Sequence, residues 1–286
     1  MKLNYMGWEI SMRGIEKPIP RSNLRLKLGM LYYGALRHFL WIKHRKNFAS
    51  VLAMDTLPFA CYAHQTVLLR QLKDVDMWMQ HNKITNLKLA TERLHGIILR
   101  PGEVFSYWKL IGRPTKGKGY LKGMVLRNGT VCAGTGGGLC QLSNLIFWMT
   151  LHTPLTVLER HRHGYDVFPD SNRTQPFGSG ATCFYPHGDL MIRNDTEEDY
   201  QLLVSVGEDF LEGEWRVSRK PQYHYHVVER NHEMKREYWG GFGRYNELYQ
   251  QQFDLKGNLI AETLLVQNEA IMMYSPFLEE KAKGEA

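Results

Sequence analysis

The sequence predicts an α+β fold, in which a buried central helix packs on a largely antiparallel sheet. A basic N-terminal amphipathic helix precedes this core and a C-terminal β-hairpin follows it. Three observations lead there. From Asn128 to Leu158 the chain contains no Asp, Glu, Lys or Arg. Glycines and a proline interrupt that stretch, so its helical part is short of a membrane span and reads as a core helix. Turn signals, above all Asn128–Gly129 and Asp254–Asn258, separate short apolar-leaning runs as hairpins require. Finally, helical and strand patterns are grouped along the chain rather than alternating.

The first element is basic. Residues 1–48 hold ten Lys plus Arg against two Glu, while the remainder is balanced at 26 basic and 27 acidic residues. The net charge of +7 therefore belongs to one arm. Within it, Leu24, Leu28, Leu31, Ala35 and Phe39 share a helical face, with Arg25, Lys27, Arg37, Lys43 and Arg45 at other positions or the ends. Three roles compete for residues 22–46: docking on the rest of the chain, adsorption to an anionic membrane surface, and binding of single-stranded nucleic acid. Nucleic acid is the least favoured. No secretory h-region precedes the arm, and the four cysteines contain no CxxC pair. The cysteine spacing leaves no zinc ribbon or dithiol redox motif, and thiols without a recognisable signal peptide point to a reducing, cytoplasmic location, with a peripheral membrane contact as a further option.

Next, Asn86–Leu99 predicts a helix, ended by Arg100–Pro101–Gly102. Glu103–Trp108 alternates as a short strand. Met124–Arg127 and Thr130–Ala133 flank Asn128–Gly129 and should pair. The helix Leu139–Leu151 stops at Thr153–Pro154, and Leu155–His163 alternates as a strand with Val157, Glu159, His161 and His163 on one face. Ala181–Tyr185, Leu190–Arg193 and Gln201–Val206 read as further strands. Tyr245–Phe253 and Leu259–Val266 form the closing hairpin. The organisation expected is a basic segment (1–48), a core domain (49–218) and a β-rich extension (219–286).

The chemistry concentrates where glycines meet the uncharged helix, in Gly134-Thr135-Gly136-Gly137-Gly138-Leu139-Cys140. A P-loop would need Lys and Ser or Thr after the last glycine, and Leu139 and Cys140 stand there. A dinucleotide fingerprint lacks its third glycine, so no cofactor is expected. What remains is a thiol in the first turn of a helix, where free N–H groups favour a thiolate. Gly136, Gly137 and Gly138 could aim their N–H groups at a developing oxyanion or a bound substrate. Ser143 and Asn144 share the polar face of the helix with Cys140 and join the glycines as candidate substrate contacts. His161 and His163 follow Cys140 by 21 and 23 residues and are candidate bases, with Asp166 or Asp170 to orient the imidazole. A buried structural cysteine is the competing reading. Cys140, Cys183, His187 and the strand histidines show no recognised ligand spacing, so no metal is expected.

RPGEVFSYWKL (Arg100–Leu110), GGGLCQLSNLIFWMTLHTPLTVLER (Gly136–Arg160), HGYDVFPD (His163–Asp170), SGATCFY (Ser179–Tyr185) and RNDT (Arg193–Thr196) resemble the VanW family. The likeness runs from about Asn86 to Val206. It implies a link to glycopeptide resistance and peptidoglycan metabolism. Longer, exported members of the family imply L,D-transpeptidase-like acyl transfer through a cysteine, which maps to Cys140, with the family's histidine matching His163. The implied partner is a peptidoglycan precursor or peptide substrate. The alternative is a non-catalytic module that binds a cell-wall precursor or a partner protein.

Overall fold

Among the described residues the first regular element is the helix α1, Asn23–Lys43, whose start is capped by the Ser22 hydroxyl accepting the Arg25 N–H. The structure, a computed structural model, describes residues 15–16, 19, 21–69, 76–127, 130–167 and 175–275. After α1 come the strands β1 (Val51–Leu52) and β2 (Phe59–Val67), the helix α2 (Met77–Thr91), and the strands β3 (Ile97–Leu99) and β4 (Val104–Ser106). A five-residue helix α3 (Tyr107–Ile111), the strands β5 (Lys122–Arg127) and β6 (Thr130–Thr135), and the helix α4 (Cys140–Thr150) follow. The remaining elements among the described residues are strands: β7 (Thr156–Glu159), β8 (Tyr165–Asp166), β9 (Met191–Arg193), β10 (Tyr200–Val206) and β11 (Phe210–Val217). Three long strands close the chain: β12 (Tyr223–Arg236), β13 (Phe242–Asp254) and β14 (Leu259–Met272).

The strands build a five-stranded antiparallel sheet in the order β1-β3-β10-β11-β2 and a small sheet β4-β9-β7. The β5–β6 hairpin stands beside them, and β12-β13-β14 forms a long antiparallel sheet joined by β8 in parallel. The architecture is α+β and largely antiparallel, as the sequence predicts.

The uncharged stretch becomes α4, which lies across β11 and β2. Leu142, Leu145, Ile146, Phe147 and Met149 are all fully buried there. Each aliphatic side chain so buried contributes ~1.5–3 kcal/mol. Gly213 on β11 lets the helix approach: a Cβ there would come 2.6 Å from the Met149 methyl. The Trp215 indole N–H donates to Thr150 Oγ1 at 3.1 Å and fixes the helix end. At the far side, Gln250 Nε2 on β13 donates to the carbonyls of Leu151 and Thr153, so the C-terminal sheet caps the end of α4.

Three expectations need correction. The predicted helix Asn86–Leu99 is two elements, because Gly96 turns the chain with φ +84 and Ile97–Leu99 enters the sheet as β3. An apolar triplet alone does not distinguish a buried strand from the end of a helix. The strand expected at Leu155–His163 ends at Glu159, so His161 and His163 lie on irregular chain and not on one strand face. Ala181–Tyr185 contributes only an isolated bridge, Phe184 to Gly188. The β5–β6 pairing is as expected, although the Asn128–Gly129 turn itself lies outside the described residues.

Candidate functional site

The glycine loop is held by backbone. Gly136 N–H donates to Leu121 O at 2.9 Å, Gly137 N–H to Gly134 O at 3.0 Å, and Gly138 N–H to Met124 O at 3.0 Å. A Cβ on Gly137 would collide with the carbonyl carbon of Gly123, and one on Gly138 with the stem of Lys83. These residues are glycine because β5 and α2 pack onto them. Their N–H groups already have acceptors, so the oxyanion nest predicted at Gly136, Gly137 and Gly138 is not formed by those donors.

The polar face of α4 grips the segment after residue 178. Ser143 Oγ donates to Ala181 O at 2.7 Å, and Asn144 Oδ1 accepts the Ala181 N–H at 2.7 Å. Both side chains are thus engaged with the backbone of one residue. The following residues are held from two sides. Thr182 N–H donates to His161 O at 2.8 Å, and the Cys140 thiol donates to Cys183 O at 3.6 Å. The Cys140 thiol and the backbone carbonyl of His161 therefore bond consecutive residues of one segment, and the imidazole takes no part in that contact.

Cys140 is partly exposed, yet burial of its sulfur pushes the thiol pKa up. The lowered pKa expected at a helix start is not borne out: desolvation outweighs the backbone hydrogen bonds that act to lower it. Cys183 is buried, and burial raises its thiol well above the ordinary value, with Cys140 adding to the shift. Tyr107 is fully buried beside them and donates its hydroxyl to Leu139 O at 2.9 Å.

His161 is paired with a carboxylate. Its Nε2 lies 2.8 Å from Glu159 Oε1, and a carboxylate there requires Nε2 to be the donor. Among the described residues Nδ1 has no hydrogen-bond partner, and the side chain keeps 36% exposure. Glu159 also receives Arg37 Nη2 at 2.5 and 2.6 Å on its two oxygens and the Asp189 N–H at 3.0 Å. Burial works to raise the Glu159 pKa, but the bonds from His161 and Arg37 outweigh it and hold the carboxyl below its usual range.

The Phe184 ring separates His161 from His187, at centroid distances of 5.3 and 4.9 Å. His187 Nδ1 is buried without a partner among the described residues, and burial lowers its pKa. Behind this group Asp189 is fully buried. It accepts from Ser106 Oγ at 2.5 Å and from the N–H of Trp108 at 2.9 Å, and burial raises its pKa to about 7.

His163 makes no hydrogen bond among the described residues, and burial followed by the neighbouring Arg162 lowers its pKa. Asp166 is turned to other partners: its carboxylate accepts from Arg244 Nη1 at 3.2 Å and Tyr274 OH at 2.8 Å. Asp170 lies outside the described residues. The sequence brought Cys183 and His187 beside Cys140 only as a disfavoured metal set, and it gave no place in this site to Arg37, to Asp189 or to Glu159 as a partner. Glu159, two residues before His161, was the one legible signal. Among the described residues no group of three or more His, Cys, Asp or Glu is placed to hold a metal ion.

A family model described as VanW like protein matches residues 82–216, a span containing Cys140, Glu159, His161, Cys183, His187 and Asp189 but not Arg37. The chain is 35% identical over 228 residues to the vancomycin B-type resistance protein VanW of Enterococcus faecalis, covering 79% of this chain and 82% of that protein. It is 30% identical over 109 residues to the uncharacterized protein YoaR of Bacillus subtilis, covering 38% of this chain and 34% of that one. No solved structure matches it significantly. With most of both chains aligned to the first relative, this chain belongs to the VanW family.

Proposed function

We propose that the protein is a cysteine acyl-transfer enzyme acting on a peptidoglycan-type peptide, with Cys140 as nucleophile and His161 as general base. The observation that carries this reading is the Arg37–Glu159–His161 chain, which orients the imidazole of a residue whose backbone carbonyl bonds Thr182, the neighbour of the Cys183 carbonyl that Cys140 contacts. Glu159 takes Nε2 and leaves Nδ1 for proton transfer, the logic by which an acid orients a catalytic imidazole. Because its pKa is raised, Cys140 rests as a thiol and needs that base when a substrate is bound. Nδ1 takes the proton as sulfur bonds to the substrate carbonyl carbon. The carbon–nitrogen bond then breaks, and the leaving amine takes the proton from His161. An acceptor amine displaces the sulfur from the thioester, and its proton returns to Cys140 through His161. The relative named for vancomycin B-type resistance supports a cell-wall substrate.

A second reading is favoured by one observation, the buried, raised thiol: a module that binds a cell-wall precursor without turning it over. The two readings separate on stem peptides of peptidoglycan. The enzyme releases the terminal residue, and C140A abolishes release while retaining peptide binding. Binding without release in the unaltered protein selects the module.

A further inference from the structure

The predicted apolar stripe of α1 does not face the protein. The helix docks through Gly34, where a Cβ would lie 3.4 Å from the Pro186 ring, through Trp41, whose indole N–H donates to Ser106 Oγ at 3.1 Å, and through Arg37 on Glu159. At about 100° per residue these three lie on one side. Leu24, Leu28, Leu31, Ala35, Phe39 and Ile42 fall on the other. Leu24 is 67% exposed, Leu31 71%, Phe39 62% and Ile42 72%. Arg25, Lys27 and Lys43 flank the stripe, and the helix carries no acidic residue. Arg37, the fourth cation of α1, is neutralised by Glu159 and points inward. No described helix is long and apolar enough to cross a membrane.

From this geometry we infer that α1 is an interfacial helix that attaches the protein to an anionic lipid surface, its stripe in the acyl boundary and Arg25, Lys27 and Lys43 among the headgroups. Apolar residues in an outward row, bordered by cations only, match a negatively charged bilayer in both of its properties. A second copy of the chain would bring the same cations together and repel them. Arg37 ties the bound helix to Glu159, so attachment holds the candidate site beside the surface.

The test is co-sedimentation of the full chain with phosphatidylcholine vesicles, with and without phosphatidylglycerol, across a salt series. Binding should require the anionic lipid and weaken steeply with salt. The triple variant R25Q/K27Q/K43Q should lose roughly 100-fold in affinity. The double variant L31E/F39E changes only exposed positions, so it should keep the fold by circular dichroism and lose vesicle binding. Binding unaffected by either variant overturns the inference. So does a solution dimer, seen by sedimentation velocity, that L31E/F39E converts to monomer in a protein that ignores vesicles.

Discussion

Glu159 holds the Nε2 of His161 at 2.8 Å while the guanidinium of Arg37 grips both of its oxygens. The arrangement joins an N-terminal helix to the end of β7 across 122 residues of chain. Removing one partner leaves the other charge largely buried. E159Q should therefore lower stability by about 2–4 kcal/mol, the lower part of the range reflecting the residual exposure of Glu159. Urea unfolding checks this. Since the folded pKa of Glu159 is depressed, its contribution is full above the ordinary carboxylate range and is lost as pH falls through the folded value.

Asp189 gives the opposite slope. Its folded pKa of about 7 lies above the unfolded value, so the folded state binds the extra proton between about pH 4 and 7. Stability due to this group is present at low pH and declines as pH rises through 7. D189N removes the titration and should compare more favourably with the unaltered protein at pH 8 than at pH 5. Denaturation midpoints at the two pH values show the difference.

His152 supplies an acid-sensitive contact between α4 and the C-terminal sheet. Its ring stacks on Tyr62 at 3.9 Å, its Nδ1 lies 3.1 Å from Tyr225 O, and burial lowers its pKa to about 4. The folded state binds fewer protons than the unfolded one between about pH 6.5 and 4, so this contribution is lost as pH falls through that window. H152F should flatten the pH dependence of Tm there.

G137A tests the role given to the glycine loop. The added Cβ would meet the backbone of Gly123, which no rotamer change relieves. A loss of about 3 kcal/mol or more is expected. An unaffected unfolding midpoint would show that the loop does not depend on this contact.

The fold was readable where the chain spoke through periodicity and turn residues. The charge-free run gave α4, Asn128–Gly129 marked β5–β6, and Asp254–Asn258 joined β13 to β14. β12 escaped because HVVERNHEMKR is polar on both faces and bends at Asn231, whose φ is +51. The candidate site was half legible. Cys140, Ser143 and Asn144 do converge on residues 181–183, but the side chains of Ser143 and Asn144 bond the Ala181 backbone and His161 reaches Thr182 only through its own carbonyl. The glycine N–H groups looked available because spacing cannot reveal that the carbonyls of Leu121, Gly134 and Met124 accept them in the fold. Arg37 carried no local signal at all, since only the tertiary fold brings α1 to Glu159.

The raised thiol has a consequence in the resting protein. Alkylation of Cys140 by iodoacetamide at pH 7 should lag behind a small-molecule thiol and climb as pH rises beyond 9. Peptide mapping of the alkylated chain measures it site by site. Fast labelling at neutral pH would mean that the thiolate is stabilised in a way this geometry does not provide.

The most direct test of the central claim is the acyl adduct itself. Incubation with a peptidoglycan stem peptide, rapid acid quench and mass analysis should place the acyl group on Cys140. H163N should form the adduct at close to the unaltered rate, while H161N should slow it by about 10²–10⁴-fold. Equal rates in H161N and the unaltered protein, or an adduct abolished by H163N instead, would contradict the assignment of His161 as the base.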